Sequence, residues 1–499
     1  MTDLKCTLSR IKLKYPQFFD QNELGEKVIA RYILSEPENV ANRVTLKMFL
    51  GEHYQPGTFI LSEREDSPEF LFDEEIKDFD EWLYKKIKSE VQMINRCTIL
   101  KKDIIEYGED DLIIDASNIV KFRVDDKKRI CDCITNQEYS DVFRKIIIFL
   151  LRGNNNETFP LFTEFNHIGR QLSLKILEDT KEYNLYERLK QSISSGLIGL
   201  DLKDDITKTS QLGEEGIIAI KSCSTNEERL FAAKIQLEKK VMQSMGIDAW
   251  EEYKEEVLDN KKHMFLVWMT DDYIPTIFEM KFIEEQLKYK QDLTILLVPR
   301  RGFFGNDADY TDIISLLNEP LFDTLRIFYL QKRFLITEYG MDLGAFNGLR
   351  ITKQLFYYIE KSDVLVISGA RSFEMAQGLN KNVYFSGIAV CRKYTESVTG
   401  INMESGSSVF LKQIKKLPAF YNFRARGWRR LNSGGTSFPV AEYTAKEYLQ
   451  AIRSSKYKNI LLKFDYDEDV AVDWILEKAK KFNLNIVEFI NEGSAYEAL

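Results

Sequence analysis

The sequence predicts an α/β protein: a doubly wound, mostly parallel sheet core, with a largely helical N-terminal domain and a C-terminal αβαβ extension. Two observations predict the core. Between residues 264 and 393, five apolar runs each end in a cluster of polar residues, and helical stretches separate several of them. Short continuous apolar runs of this kind read as parallel strands buried on both faces. Repeated strand–helix–strand units with short connections then imply right-handed crossovers and a sheet wound in both directions. A third observation places the helical domain: before about residue 255, long helical patterns dominate.

In chain order, helices are expected over Asn22 to Leu34, Asn39 to Leu50, Phe79 to Arg96, Ser140 to Leu151, Ile168 to Ser195 and Thr225 to Asp259. Between them Asp111-Leu-Ile-Ile-Asp and Ile119-Val-Lys-Phe-Arg-Val read as a small strand pair, and Glu215-Gly-Ile-Ile-Ala-Ile as a further strand. Ile146 to Leu151 reads as a buried core segment. The core spans residues 256–418. Its strands are Met264-Phe-Leu-Val-Trp-Met, Leu293-Thr-Ile-Leu-Leu-Val, Phe334-Leu-Ile-Thr, Val364-Leu-Val-Ile and Val383-Tyr-Phe-Ser-Gly-Ile-Ala-Val. After the first strand, Ile277, Met280, Ile283 and Leu287 share one helical arc, leaving Glu284, Glu285 and Lys288 to reach solvent. A helix from Asn347 to Lys361 feeds the strand at Val364. Residues 419–499 hold a basic connector, a capping box at Thr444 and Glu447 opening a helix, the strand from Asn459, the helix from Val470 to Lys481 and the strand from Asn485.

Composition narrows the function. A chain of 499 residues predicts two or three domains. Its 44% hydrophobic and 29% charged residues are those of a soluble globular protein. A net charge of −9 argues against a broad nucleic-acid-binding surface. No apolar stretch approaches the roughly 20 residues that cross a bilayer, and Met1-Thr-Asp-Leu-Lys-Cys lacks an apolar signal region, so a cytoplasmic location without membrane attachment is expected. The 6 cysteines do not make a disulfide framework, and Cys131-Asp-Cys133 lacks zinc-ligand spacing. With only 3 histidines, any metal must be held mostly by oxygen, which favours magnesium, manganese or a similar hard ion. The absence of a Gly-x-x-x-x-Gly-Lys-Ser/Thr loop, of Gly-x-Gly-x-x-Gly after a strand and of a Gly-x-Ser-x-Gly elbow counts against P-loop NTPases, dinucleotide-dependent dehydrogenases and α/β-hydrolases.

In an open sheet of this kind ligands sit beyond the carboxyl ends of the strands, and the residues found there carry the chemistry. Asp271-Asp272 follows the first strand and Asn306-Asp307 the second. Carboxylates at successive strand ends can supply the several oxygen ligands that a divalent cation needs. The competing reading has Asp272 capping the next helix and Asp307 opening a turn before Tyr310. Arg371 and Lys393, after the last two strands, are candidate anion holders. Against this, Arg371 and Glu374 can simply pair across one helical turn. Asp465-Tyr-Asp-Glu-Asp469 imitates a calcium loop but lacks its glycine, and reads better as an acidic helix start. Arg424, Arg426, Arg429 and Arg430, interleaved with aromatics and flanked by Gly427, Gly434 and Gly435, form either a surface loop or a cover over the crevice.

Residues 264–400 resemble the metal-dependent damage-control phosphatases, the family that includes the acidic-residue methyltransferase-like proteins. Asp271-Asp272 stands at the family's Asp-Asn pair and Asn306-Asp307 at its second pair. Gly369-Ala-Arg371-Ser-Phe-Glu374 matches the Gly-rich segment, and Lys393 the late lysine. The resemblance implies that Asp271, Asp272 and Asp307 are metal ligands. It also implies that Gly369, Arg371, Glu374 and Lys393 line the phosphate or substrate pocket, where Asn306 would orient Asp307 or the substrate. The chain departs from the family at Asp272, where Asn is usual, and at Ile274 and Thr276, where Gly and an acid are usual. The expected function is hydrolysis of a small phosphorylated metabolite such as a sugar phosphate, with Asp271, Asp307, Arg371 and Lys393 as catalytic residues. The expected cofactor is one divalent ion: manganese, magnesium, cobalt or nickel. Two alternatives stand beside it. A carboxyl methyltransferase lacks its glycine-rich cofactor loop here, and a phosphometabolite-binding protein would have lost turnover.

Overall fold

The computed structural model describes residues 4–19, 25–34, 79–95, 97–134, 139–154, 163–198, 223, 225–300, 307–337, 352–369, 372, 381–389 and 406–412. The expected helix Asn39 to Leu50, the strand at Glu215, the arginine-rich connector and the whole of 419–499 lie outside the described residues. Within them stands one sheet of seven strands: β1 (Ile247–Asp248), β2 (Met264–Met269), β3 (Leu293–Val298), β4 (Phe334–Ile336), β5 (Val364–Ser368), β6 (Val383–Ile388) and β7 (Ser408–Lys412). Their order is β1-β7-β6-β5-β2-β3-β4. Every neighbouring pair is parallel except β6 with β7. The sheet is therefore mostly parallel, as expected, and gains two short strands beyond β6, β7 and the outermost β1, that the apolar runs did not announce.

Both faces of the sheet are covered, which is why its strands read as unbroken apolar runs. Leu266, Trp268, Ile295, Leu297, Val364 and Val366 face one cluster, built with the helix Tyr273–Tyr289 and the helices before the sheet. Their neighbours Val267, Met269, Leu296, Val298, Leu365 and Ile367 face the other, against Leu355, Phe356 and Ile359 of the helix Lys353–Lys361. Burying each such side chain contributes about 1.5–3 kcal/mol, so alternation of faces, with burial on both, fixes these strands firmly. β2 is central. The chain steps outward from it to β3 and β4, then returns to its other side as β5 and continues to β6. The direction of winding therefore reverses between β2 and β5.

Helical segments 163–198 and 225–242 belong to the core of the sheet, whereas those between residues 4 and 154 bury Trp82, Ile87, Ile113, Phe143 and Ile146 in a cluster of their own. The helix Leu185–Ser194 lies against Tyr273–Tyr289 and reaches β7, where the buried Ser194 and Ser408 hydroxyls meet at 2.9 Å. Arg170, on the helix Thr163–Asp179, pairs with Glu319 and donates from Nη1 to the Ser315 hydroxyl at 2.9 Å. No helix among the described residues is long and apolar enough to cross a membrane.

Four expectations are corrected. The strand pair at Asp111 and Ile119 is instead the helix Glu109–Val120. Leu112, Ile113, Ala116, Ile119 and Val120 recur at helical spacing on its buried side, and Glu109, Asp110 and Asp111 sit favourably in its first turn. The helical pattern from Ile168 to Ser195 breaks after Asp179, because Asn184 and Glu187 form a reciprocal capping box that starts Leu185–Ser194 afresh. The pattern from Thr225 to Asp259 breaks at Met242, and β1 and a π-helical turn at Lys254–Leu258 follow. Glu284 does not reach solvent; it is buried and accepts from Lys281 at 2.6 Å and Lys288 at 2.7 Å.

Leu189 is fully buried where the helical segments meet the sheet's core. Leu189→Ala should cost about 2–5 kcal/mol, the usual range for a buried leucine that leaves a cavity. Urea unfolding followed by far-UV circular dichroism checks this, and an effect below about 1 kcal/mol would contradict the packing.

Candidate metal centre

At the reversal of winding, β2 and β5 end side by side. Their last paired residues are Met269 and Ile367, so Thr270 stands opposite Ser368 one step later. Beyond them come Asp271 and Gly369. β3 pairs with β2 on the other side, ending at Val298 opposite Met269, which sets Arg300 level with Asp271. The segment 307–309 returns along these ends and is laced to both. Ala308 N–H donates to the Asp271 carbonyl at 3.0 Å, Arg300 N–H donates to the Ala308 carbonyl at 3.0 Å, and Asp272 bridges to Asp307. Backbone pairing, not side-chain attraction, thus carries Asp307 to Asp271 and Asp272 against their mutual repulsion.

The outcome is a set of three carboxylates. One oxygen from each of Asp271, Asp272 and Asp307 lies within 4.8 Å of the others. Neither competing reading of these residues holds. Asp272 occupies the N-cap position of Tyr273–Tyr289, but its side chain makes no capping bond. The helix Tyr310–Leu317 is capped by Asp309 rather than Asp307, through Asp312 N–H at 2.8 Å. Arg300, its side chain fully buried, donates to Asp271 Oδ1 at 2.8 Å and to the Ser372 hydroxyl at 2.7 Å, and its Nε lies 3.9 Å from Asp307 Oδ2. Three aspartates against one guanidinium leave a formal charge of −2 on these four residues, which one divalent cation balances. The oxygen-only donor set fits a hard ion.

Gly369 is required beside this set. Its φ is +91°, and a Cβ there would lie 1.8 Å from Asp271 Oδ2, so no side chain can occupy the position while Asp271 keeps its place. A cleft of about 100 Å³ opens over the acids. It is lined by Asp271, Asp272, Glu279, Ser368 and Gly369, by Pro275 and the β6 residues Ser386, Gly387 and Ile388, and by Ser192, Ile193 and Gly196. The helical segment before the sheet therefore contributes part of the lining.

Beneath the acids lies Glu279, only 2% exposed. Burial, together with the charge of Asp271, pushes its carboxyl up to about 7, while hydroxyls from Ser368 and Thr270 oppose the rise. Asp312 is also raised, to about 6, by burial and by Asp309 beside it.

Of the residues singled out in the sequence, Asp271, Asp272, Asp307 and Gly369 are brought together. Asn306, Arg371, Glu374 and Lys393 lie outside the described residues. The sequence reading missed Arg300 and Glu279. Arg300 carried a signal, since it stands two residues beyond its strand as Asp271 does beyond its own. Glu279 carried a fainter one, as a carboxylate between Ile277, Met280 and Ile283 on the buried arc of its helix. Thr276, which stands where the resembling family has an acid, is buried and its hydroxyl contacts that of Thr270.

No protein-family model matches the chain, and no curated protein is significantly similar to it. Among solved structures, the chain is similar to a DUF89 family protein from Pyrococcus horikoshii, at 14% identity and a TM-score of 0.47, over 67% of this chain and 97% of that one.

Two outcomes are expected. Gly369→Ala forces a left-handed residue and an overlap with Asp271, and should cost about 1–3 kcal/mol; thermal denaturation checks it, and a wild-type midpoint would contradict the geometry. For Asp312, the folded carboxyl titrates above its ordinary 3.8, at about 6. Its ionisation therefore costs nothing below the lower value and the full amount above the higher. Asp312→Asn should stabilise at pH 8 by on the order of 1 kcal/mol, screened by solvent, and bring no gain at pH 4. Denaturation at the two pH values reads the difference, and equal effects at both would refute it.

Proposed function

We propose that this chain is a metal-dependent phosphatase that hydrolyses a small phosphorylated metabolite. One observation carries the reading: Asp271, Asp272 and Asp307 converge within 4.8 Å where the winding of the sheet reverses, the place where open α/β sheets bind their ligands. These three aspartates would hold magnesium, manganese, cobalt or nickel. Such an ion supplies Lewis acidity toward a phosphoryl oxygen.

The chain's own residues do the rest. Arg300 holds Asp271 by a charge-assisted hydrogen bond and lies near Asp307, so it orders the acids rather than meeting substrate from its fully buried position. Gly369 leaves room for Asp271 and keeps side-chain bulk out of the cleft. The uncharged part of the lining, Ser192, Ile193, Gly196, Pro275 and Ile388, receives the body of the metabolite. We assign the remaining phosphoryl oxygens to Arg371 and Lys393, and the orientation of Asp307 or substrate to Asn306 and Glu374. The sequence pattern and the family resemblance support those four roles.

A phosphate-release screen over phosphometabolites, run in turn with magnesium, manganese, cobalt and nickel, tests the activity. The wild-type protein should be stabilised by a bound ion by about 2.7 kcal/mol at a hundredfold excess over its Kd. Asp307→Ala should lose that stabilisation and the phosphate release while staying folded. Metal affinity unchanged by the substitution would remove the site. Arg371→Ala and Lys393→Ala should each lower kcat by roughly 10²–10³ without loss of stability, and wild-type turnover in both would place the phosphate elsewhere.

A further inference from the structure

The acidic set rests on a buried carboxylate that the proposed chemistry does not use. Glu279 stands in the second turn of Tyr273–Tyr289, only 2% exposed, and lines the cleft. Its two oxygens serve two different strands. Thr270, the residue after β2, donates its hydroxyl to Oε2 at 2.6 Å, and Ser368, the last residue of β5, donates to Oε1. These donors stand opposite each other one step beyond the last β2–β5 pair. The carboxylate therefore joins the two strands one step past their last backbone pair.

The residue after each donor belongs to the site. Thr270 precedes Asp271, and Ser368 precedes Gly369, whose backbone packs directly against Asp271 Oδ2. A further contact runs from the Thr270 hydroxyl to that of Thr276, which donates to the Asp272 carbonyl at 2.8 Å. Hydrogen bonds from Thr270 and Ser368 to Glu279, and from Thr276 to the Asp272 carbonyl, thus flank Asp271 on both sides. No cation pairs with Glu279 among the described residues. Burying a carboxylate among uncharged donors costs stability, and a leucine of similar size would avoid that cost. A residue kept at such a cost beneath a ligand set has its use in geometry.

We propose that Glu279 is the positioning residue of this centre, clamping the ends of β2 and β5 so that Asp271 meets Asp272 and Asp307 at ligand spacing. The proposal rests on the metal-binding reading of those three aspartates. It separates shape from charge. Glu279→Gln keeps the length and two polar atoms for the two hydroxyls while removing the charge. Glu279→Asp keeps the charge but is one methylene too short to reach both strands. Glu279→Leu keeps the volume and removes both acceptors.

The test is titration calorimetry of the full-length chain with Mn²⁺ at pH 8, with thermal denaturation of each variant. The expected result is a Glu279→Gln affinity within about threefold of wild type. Glu279→Asp and Glu279→Leu should bind roughly 10- to 100-fold more weakly, the range found when outer partners of metal ligands are removed. Glu279→Leu should meanwhile melt no lower than wild type, because a buried charge has gone. A residue of merely structural value would show the reverse: a lower melting point and unchanged affinity in the protein that remains folded. Affinity within twofold of wild type in Glu279→Asp would overturn the proposal, and that variant decides the question should Glu279→Leu fail to fold. Glu279→Gln falling as far as Glu279→Leu would also overturn it, by showing that charge and not position matters. Wild-type protein that takes up no Mn²⁺ would overturn the metal reading itself and the proposal with it, a result distinct from a wild type that binds and variants that bind equally well.

Discussion

Where the chain leaves β4 and returns to the other side of β2 as β5, the winding reverses and two parallel strands end side by side at Thr270 and Ser368. The site depends on that reversal. Residues just past a buried strand end stand on a rigid base and keep a few backbone partners, such as the Gly369 N–H on the Ser386 carbonyl at 2.9 Å, so a few further polar contacts fix their positions closely. Asp271, Asp272, Gly369 and Arg300 all occupy such places. Asp307 joins them because its own segment is stitched to the ends of β2 and β3 through Asp271, Asp272 and Arg300.

The polar groups around these strand ends are unusual in being buried together. Arg300, Glu279 and Thr270 are nearly inaccessible, and Asp307 is little more exposed. Desolvation works against each charge taken singly. The arrangement answers it in two ways. Arg300 places a fixed cation between two of the acids, and Glu279 takes hydroxyl donors from both strands. A formal charge of −2 nevertheless remains on the aspartate set, and its removal by a divalent ion would turn a strained cluster into a satisfied one. The same site that binds a metal would therefore be one whose stability depends on it.

The helices ahead of the sheet are more than a covering. Leu185–Ser194 packs along Tyr273–Tyr289, and its last turn, with the chain just beyond, brings Ser192, Ile193 and Gly196 to the cleft. Gly196 is close-fitted there: a Cβ would approach Ile388 Cδ1 to 3.0 Å. Part of the cleft's lining thus comes from the docking of a helical segment, and most of its polar part from residues just past the strand ends.

Much of this was legible in the sequence. Runs buried on both faces read as parallel strands, and polar residues that end such runs must lie at the sheet's carboxyl edge, so Asp271, Asp272 and Asp307 could be named without coordinates. Local patterns failed where tertiary burial overrode them. Glu109–Val120 carries adjacent apolar pairs that resemble strands, and its helical spacing is plain once Trp82, Phe143 and their neighbours show which side is buried. Glu284 looked solvent-bound until two lysines closed over it. Strand order was not legible, because parallel strands of similar composition carry no mark of their partners. That order decided what mattered most: β5 came to lie beside β2, Ser368 opposite Thr270, and Glu279 beneath both. Sequence periodicity reports which side of an element is buried, but which buried groups meet is fixed only when distant segments pack.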